Sequence, residues 1–367
     1  MTDFSIFQDK TVIVTGHTGF KGSWMSLWLN KLGAKVVGIS DHIPTKPSNF
    51  EVSDVTSFIE DYRIDIRNES QIAAVFDEVQ PDYVFHLAAQ ALVRSSYESP
   101  IETMSVNSLG TAVVLEALKK IKKQVVAIMI TSDKAYDNVE WVWGYREHDR
   151  LGGKDPYSAS KGMAELVIKS YFESYFSARD GNVKIGIARA GNVIGGGDWA
   201  TDRIIPDCMK AWSHGNTVDI RSPSSTRPWQ HVLEPLSGYL TLACDLSNSS
   251  QYHGEAYNFG PLSQNNQSVS QLIDEMSLYW KDVRWRDVSK GKDHFHEAGL
   301  LKLNCDKALL ELKWLPTLNF SETIKMTTDW YRDYYKGGNS NLKIISSSQI
   351  DEYSLIAKEK GISWANS

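Results

Sequence analysis

Three residues with chemically active side chains follow one another directly after an apolar run. Ser132, Asp133 and Lys134 come after "VVAIMI", and they supply a hydroxyl, an acid and a base at the end of a predicted strand. Parallel α/β sheets bind their ligands beyond the carboxyl ends of the strands. The tripeptide alone fits a polar turn that leaves the sheet better than a catalytic site, and the residues around it decide between the two.

A tyrosine and a lysine stand four positions apart further along the chain. Tyr157 and Lys161 lie in "DPYSASKGMAELVIK", which predicts a helix that begins at Pro156. Residues i and i+4 share a helix face, so we expect the Lys161 ammonium to lie near the phenol and stabilise its ionised form. A phenol with an unperturbed pKa of about 10 could then act as a base near neutral pH. The spacing is common by chance and becomes informative only beside a dinucleotide-binding motif.

Such a motif follows the first predicted strand. The stretch "VIVTGHTGFKGSW" places Gly16, Gly19 and Gly22 three residues apart, between a strand and a helix. Without side chains the backbone can turn tightly and approach a pyrophosphate, whose charge is favoured by a helix N-terminus. These glycines predict a dinucleotide site.

Two acidic residues follow the next two predicted strands. Asp41 closes "KVVGISD", about 20 residues beyond the glycines, where a carboxylate can bind the ribose diol of an adenosine. It favours NAD over NADP, although a surface aspartate that opens a loop is the alternative. Asp65 with Ile66 is placed to meet the adenine edge, and a simple turn explains that pair nearly as well.

The elements that must position these residues alternate between strands and helices as far as Arg189. The predicted strands are "TVIVT", "KVVGIS", "YRID", "DYVFHL", "VVAIMI" and "VKIGIA", and the predicted helices are "GSWMSLWLNKLG", "ESQIAAVFDEV" and "SLGTAVVLEALKKI". This pattern is typical of an α/β fold, a doubly wound parallel sheet of the Rossmann type, with a smaller, mixed C-terminal substrate domain.

The point at which strands and helices stop alternating also predicts the domain limits. Residues 1–189 form the dinucleotide-binding domain. The alternative is that part of the segment 233–260 also belongs to this domain. Residues 190–336 form a smaller, more irregular second domain. The polar stretch 337–367, with "GGNSN" and "SSS", is expected to be a loosely ordered tail.

Composition excludes several classes of protein. The 367 residues carry a formal net charge of −6 without a basic block, which argues against a nucleic-acid surface. The three cysteines are far apart in the sequence, so they predict neither a metal clip nor a disulfide framework and fit a reducing cytoplasm. No signal peptide and no membrane span are expected, because the N-terminus has no basic segment before an apolar run and no apolar run reaches about 18 residues.

The motifs together resemble a known family. In this order, "TGHTGFKG", "HLAAQ", "TSDKAY" and "YSASK" are similar to the extended short-chain dehydrogenases/reductases, over about residues 8–335. The resemblance implies that Ser132, Tyr157 and Lys161 are catalytic, with Ser132 on the substrate oxygen and Lys161 also on the nicotinamide ribose. It implies NAD as cofactor, a homodimer or homotetramer, and further cofactor contacts from Phe20, Leu87, Ala88 and Ala89.

Within that family the residues after Ser132 are informative. The stretches "TSDKAYD", "RAGNVIGGGDW" and "STRPWQHV" are similar to the CDP-glucose branch of the nucleotide-sugar 4,6-dehydratases, which implies CDP-glucose as substrate in deoxysugar biosynthesis. In the dTDP-glucose branch the matching pair is Asp-Glu. Tyr157 would take the C4 hydroxyl proton, Lys134 the C5 proton, and Asp133 would protonate the departing C6 hydroxyl. Lys134 would have to be neutral, against a usual pKa of about 10.4; a structural lysine paired with Asp133 is the alternative.

The remaining predictions concern the substrate and metals. Arg203 and Arg227 are suited to a diphosphate because guanidinium groups form forked bonds to phosphate oxygens, and the resemblance puts Asn192 against the same phosphate. No metal site is expected, since "KDHFHE", with His294, His296 and Glu297, fits a solvated loop better than a zinc site. Three other functions stay open: a nucleotide-sugar 4-epimerase, a dTDP-glucose 4,6-dehydratase, and a non-catalytic NAD-sensing protein.

Overall fold

A seven-stranded parallel sheet forms the centre of the molecule. The computed structural model describes residues 3–178, 180–262, 266–289, 300–337 and 341–365 of the chain. Strands are numbered in chain order, and their spatial order is β11 (Ala256–Phe259), β6 (Val183–Ala190), β5 (Val125–Ile130), β4 (Tyr83–His86), β1 (Thr11–Thr15), β2 (Lys35–Ile39) and β3 (Glu60–Tyr62). Each adjacent pair is parallel, which confirms the predicted doubly wound architecture.

Helices cover both faces of this sheet and build the second region. They are α1 (Phe20–Lys31), α2 (Asn49–Val52), α3 (Glu69–Val79), α4 (Val93–Glu98), α5 (Pro100–Met104), α6 (Gly110–Lys119), α7 (Pro156–Tyr171), α8 (Ile204–Ser213), α9 (Leu233–Asn248), α10 (Val269–Ser277), α11 (Asp306–Leu312), α12 (Phe320–Lys336) and α13 (Leu342–Glu359). Apolar side chains from both faces of the sheet form two separate buried clusters.

The predicted strands agree with the structure except at the third. "YRID" was expected to form it, whereas β3 covers Glu60–Tyr62 and Arg63 already leaves the sheet. Exposed and half-buried residues occupy this edge strand, so the apolar pattern that reveals the other strands is missing here. The helix predicted for residues 69–79 matches α3 at both ends. The side chain of Asn68 caps its first turn.

The segment 233–260 does return to the first domain, as the sequence analysis allowed. Helix α9 packs against β5 and β6, and β11 extends the sheet by pairing with β6 from Ala256↔Ile187 to Phe259↔Ala190. The dinucleotide-binding half therefore includes a segment, residues 233–260, that comes later in the sequence than the first part of the second region.

The second region is built from short strand pairs and helices. The pairs join β7 (Val193–Ile194) to β10 (Gln230–His231), β8 (Val218–Ile220) to β13 (Trp285–Asp287), and β9 (Thr226–Arg227) to β12 (Gln267–Ser268). These pairs, with α8, α10 and α12, stand beyond the carboxyl ends of β5 and β6.

The prediction of a loosely ordered tail for residues 337–367 is wrong for the residues described. Helix α13 packs against α1 and α12. Tyr353 is fully buried and meets Trp28 of α1 edge to face at 5.7 Å, and Trp364 stacks on Phe4 at 5.1 Å. Ser346, one of the residues that suggested disorder, is buried and accepts a hydrogen bond from Trp330 Nε1 at 2.9 Å, so small polar residues here take part in the packing.

The sequence predicts neither a membrane-spanning segment nor a metal site. Across the described residues, none of the helices is both long and apolar enough to cross a bilayer. Within those same ranges no group of His, Cys, Asp and Glu side chains is arranged to hold a metal ion. His294, His296 and Glu297 lie outside the described residues, and the three cysteines are free.

Candidate active site

Ser132, Asp133 and Lys134 form a tight turn at the carboxyl end of β5. The hydroxyl of Ser132 donates to Oδ1 of Asp133 at 2.9 Å and accepts from the backbone N–H of Lys134 at 3.2 Å. Asp133 is 7% exposed, and burial raises the pKa of its carboxyl, against the opposing effects of Lys134 and Ser132. Asp133 is therefore suited to hold a proton rather than a charge.

Lys134 follows this carboxyl, and its charge opposes the rise in the pKa of Asp133. It is half-buried and lines a large cavity of about 1310 Å³ between the sheet and the second region. Among the described residues no carboxylate forms an ion pair with its ammonium, Asp133 included. The role of Lys134 as a base and the alternative of a structural partner for Asp133 both stay predictions.

Tyr157 and Lys161 lie on the first turns of α7. The helix starts where Pro156 fixes the backbone and the Asp155 carboxylate accepts from Ser158 N at 2.9 Å. Burial raises the pKa of Tyr157 to about 12, although hydrogen bonding with Ser132 acts in the opposite direction. This shift is opposite to the one expected from the Tyr-x-x-x-Lys spacing, because loss of hydration outweighs stabilisation of the phenolate by its neighbours.

Lys161 is itself affected by burial. Its pKa is lowered to about 8 by loss of hydration, against the opposing charge of Glu165 one turn further along α7. The Glu165 carboxylate forms a forked ion pair with Arg189 of β6, with N···O distances of 2.7 and 2.9 Å, and both side chains are buried. This pair joins α7 to β6 one turn beyond Lys161.

The glycine-rich loop lies at the carboxyl end of β1. Gly16 has φ of +75°, and a Cβ there would lie 2.7 Å from Ala88 N. A Cβ on Gly22 would lie 2.0 Å from the carbonyl oxygen of Gly16. Gly19 is the N-cap of α1 and has no side chain to cap it, so the backbone N–H groups of the first turn receive no side-chain cap there. This cradle fits a dinucleotide pyrophosphate.

The other predicted cofactor residues surround this loop. Leu87 N donates to Thr15 O at 3.1 Å and Ala88 N to Thr15 Oγ1 at 3.2 Å, which brings the end of β4, with Ala89, beside Gly16. Asp41 follows β2 and pairs with Nδ1 of His42 at 2.7 Å, half exposed to solvent.

Asp65 was predicted to contact the adenine, and in the structure its carboxylate has a protein partner. Its carboxylate pairs with Arg67 at 2.6 Å, and hydrogen bonds from Arg67 lower its pKa. Ile66, next to it, is buried against Gly110 of α6. Asp65 thus holds the turn after β3, which was the alternative for this residue, and its contact with adenine stays a prediction.

The three predicted substrate residues share the large cavity. Asn192, Arg203 and Arg227 all line it. Arg203 forms an ion pair with Asp198 at 2.9 Å, and the Nη1 group of Arg227 donates to Thr226 O at 2.8 Å. Two guanidinium groups and an amide thus face one space that also contains Lys134.

Comparisons with known proteins agree with this geometry. The sequence model of the family described as GDP-mannose 4,6 dehydratase matches residues 13–327. The chain belongs to this dehydratase family. A curated CDP-glucose 4,6-dehydratase of Salmonella typhimurium is 45% identical over 357 residues, which are 96% of this chain and 98% of the relative. The resemblance to the extended short-chain dehydrogenases/reductases is thereby confirmed.

Solved structures share the fold of this dehydratase family member. A UDP-glucose 4-epimerase of Thermotoga maritima with UDP-glucose superposes with a TM-score of 0.75 at 23% identity, over 89% of this chain and all of the other. A dTDP-glucose 4,6-dehydratase of Bacillus anthracis in complex with NAD gives a TM-score of 0.72 at 19% identity, over 88% of this chain and 97% of the other.

Several charged residues near these predicted site residues were not found from the sequence. Burial lowers the pKa of Lys21 to about 8, with Arg203 and Lys161 acting in the same direction and Asp133 against them. A lysine inside a glycine-rich loop was the available signal. Asp202 pairs with Arg94 of α4 at 2.9 Å and with Arg221 at 3.3 Å at the wall of the large cavity. No sequence pattern connects residues so far apart.

Proposed function

We propose that this protein is a 4,6-dehydratase that uses NAD to convert CDP-D-glucose into CDP-4-keto-6-deoxy-D-glucose and water. The observation that carries the proposal is the position of Asp133 and Lys134. Asp133 is a buried acid beside Ser132, and Lys134 lies in the large cavity without an ion pair to any described residue. Elimination of water needs both an acid and a base, and the 45% identity with a curated CDP-glucose 4,6-dehydratase supports the nucleotide.

The cofactor residues are assigned by their place around the glycine-rich loop. Gly16, Gly19, Gly22 and Phe20 would hold the pyrophosphate and Asp41 the adenosine ribose, with Asp65 and Ile66 near the adenine. Leu87, Ala88 and Ala89 would line the path to the nicotinamide, where Tyr157 and Lys161 lie. The chemistry that NAD supplies when bound is reversible hydride storage, taken from sugar C4 and returned to C6.

Tyr157 is the base of the oxidation. Its phenolate oxygen takes the proton of the C4 hydroxyl, while the Ser132 hydroxyl bonds the same sugar oxygen. The raised pKa of Tyr157 means that ionisation needs added positive charge. Lys161 and the cationic nicotinamide ring would supply that charge when the cofactor is bound.

Asp133 and Lys134 carry out the elimination. The 4-ketone makes the C5 hydrogen acidic, and the Lys134 amine takes that proton. The raised pKa of Asp133 keeps its proton available for the departing C6 hydroxyl. Acid and base are thus adjacent in sequence, and both act beside the carbon atoms that react.

The nucleotide end of the substrate belongs in the large cavity. Arg203 and Arg227 are suited to the diphosphate, and Asn192 to the phosphate nearest the sugar. Binding of the diphosphate would compete with Asp198 for the Arg203 guanidinium.

Parallel incubation with CDP-glucose and dTDP-glucose in the presence of NAD tests the proposal. We expect a 4-keto-6-deoxy product from CDP-glucose, identified by proton NMR. Turnover of dTDP-glucose alone would contradict the nucleotide assignment. A product that keeps its C6 hydroxyl and is inverted at C4 would mean a 4-epimerase, which needs Ser132, Tyr157 and Lys161 but neither Asp133 nor Lys134. A protein that binds NAD without turnover would be a sensor.

The proposal includes a reducing cytoplasm and a homo-oligomer. The free cysteines suit a reducing compartment. Adjacent helices α5 and α7 expose Ile101, Met163 and Leu166, which are 78, 42 and 58% exposed, and a second copy of the chain would cover them. Light scattering during size-exclusion chromatography would give the mass, and replacing Ile101 and Leu166 by glutamate should shift a dimer to monomers.

A further inference from the structure

A second and much smaller cavity reaches the carboxyl of Asp133. Its volume is about 10 Å³, and its walls include Asp133, Gly191, Gln230, Asn266 and Lys302. A single water molecule needs about 10–15 Å³ of such space. The cavity therefore has room for one water molecule and none for a sugar.

Gln230 presents an unsatisfied oxygen at this place. The residue is 1% exposed, and its Nε2 donates to the carbonyl oxygen of Phe259 at 3.3 Å. That bond fixes the orientation of the amide, because the reverse orientation would bring two oxygens together. Oε1 is buried and receives no hydrogen bond from any described residue.

Asn266 presents a second unsatisfied oxygen. Its Nδ2 donates to Oγ1 of Thr226 at 3.2 Å, and its Oδ1 is buried and receives no hydrogen bond within the described ranges. Buried acceptors without donors are rare in proteins and often mark an ordered water. One water molecule has two hydrogens, which suits two amide oxygens that line one small space.

The carboxyl of Asp133 adjoins the same space through its other oxygen. Oδ1 accepts from Ser132, whereas a Cβ built on Gly191 would lie 3.1 Å from Oδ2. Gly191 and Asp133 both line the small cavity, while Lys134 lines the large one. The Asp133 carboxyl thus lies between Ser132 and the small cavity, and Lys134 lies in the large one.

We propose that the small cavity is a single-water site that receives the water eliminated from the sugar. The inference rests on the proposed dehydratase function. Lys134 takes the C5 proton, the C5–H electrons form the C5–C6 double bond, and the C6–O bond breaks with its electron pair on oxygen. The proton of Asp133 passes to that oxygen and leaves a carboxylate. The new water then donates its two hydrogens to Gln230 Oε1 and Asn266 Oδ1.

Removal of this water has a consequence for the order of events. An unsaturated ketone can add water back, so a water molecule left at C6 would compete with return of the hydride. Holding the water between Gln230 and Asn266 separates it from C6 until the reduction is complete. Gln230 and Asn266 are then positioning residues for the second half of the reaction and have no role in the first.

Gln230→Leu tests this assignment in stopped-flow experiments on the NAD-loaded enzyme with CDP-glucose. We expect NADH absorbance to rise at the normal rate and to decay about tenfold more slowly, the effect of losing one hydrogen bond to a neutral group. Asn266→Ala, at a less buried position, should have the same effect if Gln230→Leu does not fold.

Gln349→Leu is the matched control. Gln349 is also a buried glutamine whose Nε2 bonds a backbone carbonyl, of Met326 at 2.7 Å, and whose Oε1 is unsatisfied among the described residues. It lines neither cavity, so the NADH decay should keep its normal rate.

A crystal structure of the NAD-bound enzyme provides a readout that needs no turnover. We expect one water within hydrogen-bonding distance of Gln230 Oε1 and Asn266 Oδ1, and its loss in Gln230→Leu. No such water, or unchanged NADH decay in both variants, would overturn the assignment. Absence of NAD reduction by CDP-glucose in the unmodified enzyme would instead contradict the proposed function, so the two failures are distinguishable.

Discussion

The Ser132 hydroxyl donates to Oδ1 of Asp133 at 2.9 Å, and this bond joins two residues with different proposed tasks. Ser132 acts on the sugar C4 oxygen during oxidation, and Asp133 on the C6 hydroxyl during elimination. Because one hydrogen bond connects them, the turn after β5 sets the distance between the Ser132 hydroxyl and the Asp133 carboxyl. No conformational change is needed to bring the two side chains together. Variants that separate the two tasks are therefore the most informative.

Lys134→Met should separate oxidation from elimination. The variant keeps Ser132 and Tyr157, so mixing with CDP-glucose should still reduce bound NAD, but the C5 proton would have no acceptor. NADH absorbance should accumulate, with a loss of dehydration of about 10²–10⁴-fold and little solvent deuterium at C5. Lys169→Met, at an exposed position of α7, is the control. Normal dehydration with full C5 exchange would assign the base to another residue.

Tyr157→Phe should block the first step. The C4 hydroxyl would lose its proton acceptor, so no NADH should appear when CDP-glucose is mixed with the NAD-loaded variant. Tyr171→Phe removes a hydroxyl from the same helix, where it donates to Glu116 Oε1 at 2.8 Å, and should leave NAD reduction intact. Rapid NADH formation in Tyr157→Phe would contradict the assigned role.

Asp41→Ala should weaken the preference for NAD over NADP. Its carboxylate is half exposed and, with NAD bound, is expected to turn from His42 to the ribose diol, which the 2′-phosphate of NADP cannot match. Titration calorimetry on protein stripped of cofactor should show NAD affinity reduced about tenfold and NADP affinity unchanged or improved. The exposed Asp77 gives the control substitution. Equal affinities for NAD and NADP in the unmodified protein would exclude Asp41 as the ribose ligand.

Glu234→Gln should change how stability depends on pH. The buried carboxyl of Glu234 accepts from Thr317 N, Leu318 N and the Tyr353 hydroxyl, and burial raises its pKa to about 7. The folded pKa thus exceeds the unfolded value of about 4.3, so folding is favoured at low pH and this contribution is lost as pH rises to about 7. Relative to the glutamine variant, the unmodified protein should lose about 1–3 kcal/mol of unfolding free energy between pH 5 and pH 8, measured in urea. Parallel pH profiles for both proteins would show that Glu234 does not titrate there.

Much of the first domain could be predicted because its signals are local. The apolar run that becomes β5, the glycines after β1 and the Tyr157–Lys161 spacing each lie within a few residues of one another. The position of β3 was predicted wrongly because an edge strand does not need apolar residues on both faces. The fold of the tail was missed because Tyr353 and Trp364 acquire their burial from Trp28 and Phe4, more than 300 residues earlier.

The predicted site was incomplete for the same physical reason. Tyr157 was expected to have a lowered pKa from its spacing to Lys161, but the sign depends on burial by the whole fold. Gln230 has no motif of its own and becomes notable only because Oε1 is unsatisfied beside Asp133. Sequence patterns identify residues that act through neighbours in the chain, whereas cavities are formed by distant segments.

The packing of α13 against α1 has a consequence for synthesis of the chain. Helix α1 has Trp28 in contact with Tyr353, which is translated much later. This face of α1 therefore stays without its cover while the intervening chain is made, although domains made first generally fold first. A ribosome that stalls before α13 would hold a nascent protein with an uncovered apolar side chain on α1, a substrate for chaperones.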